Sequence, residues 1–138
     1  MSISPVSIDH VVIASSDLDR TDAFYEVVFG VAIERSYPGL HQYRLGTQML
    51  NVHGPGLAEK AGPELLARPP VAPGGSDLCF VWDGPIEDAI AHLAGCGVAV
   101  HIGPVPREGA QGKGTSIYFR DPDGSLLEFI SYAGDRGA

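Results

Sequence analysis

The chain has 138 residues, 44% of them hydrophobic, and a formal net charge of −8 at pH 7. This length suffices for one domain-sized core, and the acidic balance disfavours non-specific binding to nucleic acid or an anionic membrane, because both are polyanions. No apolar run approaches the roughly 20 residues that span a bilayer, and the opening "MSISPVSIDH" lacks the basic region and apolar core of a signal peptide. We therefore expect a soluble, cytoplasmic protein whose partner is a small molecule or another protein.

The first half of the chain predicts a strand, a helix and further strands. "IDHVVIA" is β-branched and typical of a strand, and Ser16 or Asp17 is placed to cap an amphipathic helix that ends before Gly30. A strand beginning "VAI" and the segment "QYRLGTQMLNVH" follow. A Pro- and Gly-rich linker comes next, with one short helical turn at most.

The second half repeats this order. "SDLCFV" predicts a strand, Pro85 lies near the first turn of a helix that Gly97 stops, and "TSIYFRDPDGSLLEFI" predicts the last strands. His10 and Gly30 are 20 positions apart, and so are Asp77 and Gly97. We interpret residues 1–138 as one domain, made of a first module (6–56), a linker (57–74) and a second module (75–133).

Each half carries a possible metal ligand in its first strand and another in its last. These residues are His10 and His53 in the first half, and Asp77 and Glu128 in the second. Glu128 needs a cation or water, because it interrupts the apolar strand "LLEFI" and a buried unpaired carboxylate costs several kcal/mol. If a pseudo-twofold axis relates the halves, the four side chains converge, and two imidazoles and two carboxylates suit Ni, Co, Fe, Mn or Zn.

The remaining histidines and both cysteines are expected to be structural. His92 is interpreted as a helix-face residue, and His41 and His101 as surface residues. Cys79 and Cys96 are too few for a disulfide framework, so we expect small buried hydrophobic residues.

Candidate substrate contacts lie near the end of the second half. Ser116 and Tyr118 share one face of a strand, and Arg107 and Lys113 lie in "GPVPREGAQGKG", which we interpret as a long irregular loop. Arginine and lysine supply donors for a carboxylate or phosphonate.

Three segments give the chain a family resemblance, which covers nearly everything from Ile8 to Tyr132. "IDHVVI", "DRTDAFYEVVFGV" and "SIYFRDPDGSLLEF" resemble the vicinal oxygen chelate superfamily, which includes glyoxalase I, extradiol dioxygenases, and fosfomycin- and bleomycin-resistance proteins. "GPVPREGAQGKGTSIYFRDPDG" is similar to the glyoxalase-domain group that includes virulence-associated proteins.

The resemblance implies an α+β fold of two βαβββ modules in tandem, whose mixed sheets form a cup around a divalent metal. It carries the first to fourth ligand positions onto His10, His53, Asp77 and Glu128. The second position holds His instead of the Glu of glyoxalase I, and the third holds Asp instead of His. The resemblance also implies a homodimer.

The activity that the resemblance implies is that of an enzyme, a metal-dependent lyase or isomerase of the glyoxalase type. The metal acts as a Lewis acid that stabilises an enediolate-type intermediate of a small oxygenated substrate, and Glu128 is the candidate general base. One alternative is an extradiol dioxygenase with Fe(II) on His10, His53 and Glu128, and another is a fosfomycin-type transferase. A third is a metal-free resistance protein that sequesters a drug.

Overall fold

The fold consists of two compact units that divide between Pro73 and Gly74. The computed structural model describes residues 3–133. We call residues 1–73 unit 1 and residues 74–138 unit 2. Each unit has a four-stranded sheet in which the first strand runs parallel to the last and the other neighbours are antiparallel. The predicted fold class, α+β with two βαβββ modules in tandem, is confirmed.

The described residues of unit 1 form four strands and two α-helices. Its sheet has the order β1-β4-β3-β2. In chain order, the elements are β1 (His10–Ala14), α1 (Leu18–Phe29), β2 (Ala32–Tyr37), β3 (Leu40–Leu45), β4 (Gln48–His53) and α2 (Leu57–Ala61).

The two ends of α1 are fixed by a cap residue each. The Asp17 side chain accepts a hydrogen bond from the backbone N–H of Arg20 at 3.2 Å, so Asp17, one of the two expected residues, is the N-cap. At the other end Gly30 adopts φ 65°, a left-handed conformation that favours glycine. Its backbone N–H donates to the backbone carbonyl oxygen of Glu26.

Alternation along the strands gives the sheet of unit 1 two different faces. Ile13, Tyr43, Leu50 and Val52 are buried on one face, where the ring of Tyr43 lies 5.2 Å from that of Tyr25 on α1. The opposite face carries the side chains of the other set of alternate residues, including His53. The candidate ligands of unit 1 therefore lie on the face that α1 does not cover.

A buried carboxylate joins α1 to this sheet. Asp22 is 4% exposed and accepts hydrogen bonds from Tyr43 Oη at 2.7 Å, His41 Nδ1 at 2.9 Å and Arg35 Nε at 3.0 Å. The expectation that His41 is a surface residue was wrong. Its ring is 13% exposed, because position 41 shares the helix-covered face with Tyr43 and the imidazole turns towards Asp22.

Unit 2 repeats the arrangement around a second core. Its strand order is β5-β8-β7-β6. The elements are β5 (Asp77–Val81), α3 (Ile86–Gly95), β6 (Ile102–Gly109), β7 (Gly112–Arg120) and β8 (Leu126–Ser131). The core residues that α3 and the strands β7 and β8 contribute are almost fully buried: Ile86, Ala89, Leu93, Ile117, Phe119, Leu127 and Phe129.

The segment "GPVPREGAQGKG" is a hairpin and not the irregular loop expected from its Pro and Gly content. Arg107 pairs with Gly114 and Glu108 with Lys113, which leaves only residues 110 and 111 between β6 and β7. The prolines are tolerated because β6 is an edge strand, where a missing N–H breaks no inner ladder, and because the register shifts between Ile102 and Val105.

The linker also holds more helix than expected. α2 is followed, after Gly62, by a short 3-10 turn at Pro63–Leu65, in place of one turn at most. The residues of α2 include good helix formers, and Pro63 suits a first helical position, which explains both pieces. In the described residues no helix is both long and apolar enough to cross a bilayer.

Gly114 on β7 is needed for close packing, and replacing it by Ala is expected to destabilise unit 2 by about 1–3 kcal/mol. A Cβ there would lie 2.7 Å from the backbone oxygen of Ser131 and 3.0 Å from Tyr132 Cδ1. Urea unfolding of the purified variant measures the loss.

The matched control for this prediction is Gly95→Ala on α3. Its Cβ would have no atom within 4 Å, and Ala favours helix over Gly by about 1 kcal/mol. We expect this variant to be at least as stable as the parent. If both variants unfold at the same urea concentration as the parent, the close-packing argument is wrong.

Candidate functional site

His10, at the start of β1, has the arrangement of a metal ligand that a carboxylate orients. Its Nδ1 lies 2.7 Å from Oδ1 of Asp9, and nearly half of the imidazole is exposed. With Nδ1–H donating to Asp9, Nε2 keeps its lone pair. Histidine ligands usually make such a bond through their other ring nitrogen. His10 therefore has the chemistry expected of a first ligand.

The structure does not bring His10 and His53 together. His10 pairs with Met49, whereas His53 pairs with Ala14 at the far end of the same ladder. Because His53 lies beside Ala14, it is offset from His10 by four positions along the strand, which is about 13 Å. A shared metal would need both imidazoles within about 2.1 Å of one point, so the pair does not fit a common metal.

The registers of the two sheets show which residue of unit 1 corresponds to Glu128. Glu128 pairs with Cys79, two residues after Asp77, and Asn51 pairs with Val12, two residues after His10. Asn51 is therefore equivalent to Glu128, and its amide oxygen accepts a hydrogen bond from Gln42 Nε2 at 3.2 Å.

Sequence reasoning missed Asn51, although a signal was present. In "LLEFI" and "MLNVH" the residue between two buried apolar neighbours is Glu128 in one strand and Asn51 in the other. When the two strands are aligned by their buried residues, Asn51 matches Glu128 and His53 matches Ile130.

In unit 2, a thiol, a carboxylate and a phenol lie side by side across the sheet. Glu128 on β8 pairs with Cys79 on β5 and with Tyr118 on β7, so the three share one face and are direct neighbours. We call Cys79, Glu128 and Tyr118 the Glu128 row. Asp77 lies on the same face of β5, two residues before Cys79.

The thiol in this row is held neutral. Partial burial, the charge of Glu128, a hydrogen bond to that carboxylate and the charge of Asp77 together raise the pKa of Cys79 to about 12. The expectation that Cys79 is a buried hydrophobic residue was wrong, because the residue is exposed. The neutral thiol donates to Glu128 and is a poor nucleophile.

Arg107 and Tyr118 form one contact at the end of the row. The Arg107 Nε donates to Tyr118 Oη at 2.9 Å, and the guanidinium carbon lies 5.5 Å from the centre of the ring. Arg107 is exposed, so the rest of its guanidinium can meet an anionic group. Lys113 pairs with Glu108 and its side chain lies on the opposite face of the hairpin, so the structure does not bring it to the row.

Ser116 lies on the same face of β7 as Tyr118, and its hydroxyl is left without a partner. The residue is fully buried, and Oγ has no hydrogen-bond partner among the described residues. A buried hydroxyl in this state costs about 1–3 kcal/mol, which a ligand atom could recover. In the described part of either unit, no three His, Cys, Asp or Glu side chains form a group that could hold a metal ion.

Unit 1 has a cavity of about 690 Å³ at the far end of its β1–β4 ladder. Val12, Ala14 and His53 form its floor, and residues between Gly54 and Pro73 form its walls. Burial lowers the pKa of His53 below its ordinary value, so the imidazole is neutral at pH 7.

Comparison with known proteins assigns the chain to a family. Residues 7–129 match the family described as the Glyoxalase/Bleomycin resistance protein/Dioxygenase superfamily. The chain belongs to this superfamily. The family resemblance predicted from the sequence is thus confirmed. The chain is similar to named members of the superfamily along most of its length.

Three relatives illustrate the similarity. Virulence protein STM3117 of Salmonella typhimurium is 38% identical over 91% of this chain and 83% of its own, and its crystal structure superposes with a TM-score of 0.81. The glyoxalase domain-containing protein RDO1 of Mycosarcoma maydis is 40% identical over 94% of this chain and 70% of its own. The structure of lactoylglutathione lyase from Agrobacterium tumefaciens is 26% identical, covers 94% of this chain and 96% of its own, and gives a TM-score of 0.72.

Proposed function

We propose that this protein is a divalent-metal-dependent lyase or isomerase of the glyoxalase type that acts on a small oxygenated substrate. The observation that carries the proposal is the Glu128 row, in which a half-buried carboxylate lies between a neutral thiol and a phenol. The similarity to a lactoylglutathione lyase supports the reaction class. The homodimer and the cytoplasmic location stay predictions.

The residues fit a divalent cation in their chemistry. His10 has an oriented imidazole, and Glu128 and Asp77 are carboxylates on one face of unit 2. Each of the three is a proposed metal ligand in its own unit, and nitrogen and oxygen donors of this kind suit Ni, Co, Mn, Zn or Fe. His53 is left out, because about 13 Å of strand separates it from His10. When bound, the metal supplies positive charge where the substrate's oxygen atoms become negative.

The side chains of unit 2 supply the rest of the reaction. Glu128 takes a proton from the carbon next to a carbonyl group and returns it to the neighbouring carbon, as a general base and then a general acid. Its neighbour Tyr118 can orient a substrate oxygen, and the exposed guanidinium of Arg107 can meet an anionic group of the substrate. Ser116 Oγ is fully buried, so it is assigned no substrate contact in this mechanism.

The first test is the metal content of the protein purified without a histidine tag. We expect close to one Ni, Co, Mn or Zn ion per chain by elemental mass spectrometry, and loss of this metal in His10→Ala because an oriented ligand is removed. The matched control is His101→Ala, which removes an exposed histidine of unit 2 and leaves the metal in place.

Three outcomes would count against parts of the proposal. A protein that stays metal-free after incubation with each of these ions is not a metal-dependent enzyme. Equal metal content in the parent and in His10→Ala would remove His10 from the ligand set. Bound Fe alone would shift the reaction class to a dioxygenase.

A further inference from the structure

The last turn of α3 carries a histidine and a cysteine that already lie at chelating distance. Nε2 of His92 is 3.8 Å from Sγ of Cys96. Cys96 directly follows α3 and keeps a helical backbone (φ −85°, ψ −3°), and its N–H donates to the carbonyl oxygen of His92 at 3.0 Å. Positions i and i+4 lie on one face of a helix, so the backbone holds the two side chains side by side.

This distance matches that between two ligands of one tetrahedral metal ion. Zinc bonds of about 2.3 Å to sulfur and about 2.1 Å to nitrogen, at an angle of about 109°, place the two ligand atoms about 3.6 Å apart. The observed separation of Sγ and Nε2 is 3.8 Å. One ion can therefore bridge the two atoms with almost no movement of the side chains or the helix.

The charges of α3 also favour a cation at this place. The C-terminal end of a helix carries a partial negative charge, and His92 and Cys96 lie at that end. The helix contains no lysine or arginine, whereas Glu87 and Asp88 lie in its first turn. No lysine or arginine of the helix therefore competes with a bound metal ion.

The pair is open to solvent and lies on the helix side of the sheet. The expectation that Cys96 is a buried hydrophobic residue was wrong, because Cys96 and His92 are both only partly buried. The ring of His92 packs against that of Trp82, with 5.4 Å between centres, and Trp82 packs on Phe129 of β8. Phe129 and Glu128 are consecutive residues of a strand and point to opposite faces, so the pair is separate from the Glu128 row.

We propose that His92 and Cys96 form a second metal site, which takes a thiophilic divalent transition-metal ion such as Zn²⁺. Thiolate and imidazole together suit zinc, whereas Mg²⁺, Ca²⁺ and Mn²⁺ prefer oxygen donors. On binding, the thiol of Cys96 releases its proton to solvent, sulfur and the neutral imidazole each donate a lone pair, and water fills the remaining positions. No electron is transferred.

The site has only two protein ligands, which decides how it is detected. Two ligands hold an ion less tightly than the three or four of catalytic and structural zinc sites. We therefore expect the purified protein to lose this ion and to take it up again when metal is added. The metal that remains after purification reports on the proposed catalytic site instead.

The test is a titration of the reduced, tag-free protein under argon with Co²⁺, which takes the place of Zn²⁺ and absorbs light. We expect a near-ultraviolet charge-transfer band, which requires a cobalt–thiolate bond. We also expect quenching of Trp82, the one tryptophan of the chain, because its ring lies 5.4 Å from that of His92. Added Zn²⁺ should remove both signals. A titration without the charge-transfer band would overturn the proposal.

Variants of the two ligands assign the signals. Cys96→Ser should abolish the band and weaken Co²⁺ binding about tenfold or more, and His92→Ala should weaken binding similarly. Cys96→His places a second imidazole one turn after His92. We expect this variant to keep the metal and the quenching of Trp82 while losing the band, because no thiolate is left at the site.

The matched controls are Cys79→Ser and His101→Ala, which remove the other thiol and another exposed histidine of unit 2. Both should keep the band. Its loss in Cys79→Ser, or its retention in Cys96→Ser, would place the thiolate in the Glu128 row and refute the proposal. The band should also persist in His10→Ala, so this site can be confirmed even if the proposed enzyme is not. An active enzyme that gives no band would refute this site alone.

Discussion

Glu128→Gln is expected to cause the largest loss of function of any single substitution. The change keeps the size of the side chain but removes the negative charge and the basic oxygen. We expect metal affinity to fall about 100-fold or more and turnover to fall by a factor of about 100 to 10,000, because the proposed mechanism uses this one group as ligand and base. Titration calorimetry with Mn²⁺ measures the first effect, and an assay for lactoylglutathione lyase, the activity named for the Agrobacterium relative, is the first measure of turnover.

The control for this variant is Glu108→Gln. Glu108 is exposed on the β6–β7 hairpin of the same unit and pairs with Lys113 in the register of β6 and β7, away from the Glu128 row. The variant should keep the parent's metal affinity and turnover. Full activity in Glu128→Gln would remove Glu128 from the mechanism. A metal-bound but inactive Glu128→Gln would assign it the role of base alone.

Much of the fold could be predicted because hydrophobic periodicity determines it. The strand and helix patterns appear twice at equal spacing, and buried alternate residues such as Leu50 and Val52, or Leu127 and Phe129, indicate which face of each last strand packs inward. Asp17 and Gly30 define the ends of α1 through local backbone chemistry. Such signals depend on neighbours in sequence, which is why a single chain reveals them.

The parts that could not be predicted depend on pairing between distant residues. The β6–β7 hairpin contains Pro106, which argues against a strand until the strand is known to lie at an edge. His53 and Asn51 are two residues apart and share a face, so strand alternation alone does not distinguish them, and the register against β1 decides which of them corresponds to Glu128. His41 carries no local sign that it contacts a buried carboxylate on α1.

That carboxylate gives the largest expected effect on stability. Asp22→Ala should lower the free energy of unfolding by about 3–5 kcal/mol, because it leaves Tyr43 Oη and His41 Nδ1 without their buried acceptor. Asp22→Asn keeps an oxygen for Tyr43 and should cost less. Urea unfolding followed by circular dichroism measures both, and Glu26→Gln, on an exposed position of the same helix, should change stability by less than about 0.5 kcal/mol.

A second substitution separates the hydrogen bond from the loss of packing. Tyr43→Phe removes the fully buried hydroxyl that donates to Asp22 at 2.7 Å. In this background Asp22→Ala should cost about 1–2 kcal/mol less than in the parent, because no hydroxyl is left unsatisfied. If the two substitutions add without coupling, Asp22 stabilises unit 1 through Arg35 and His41, and the Tyr43 bond contributes nothing of its own.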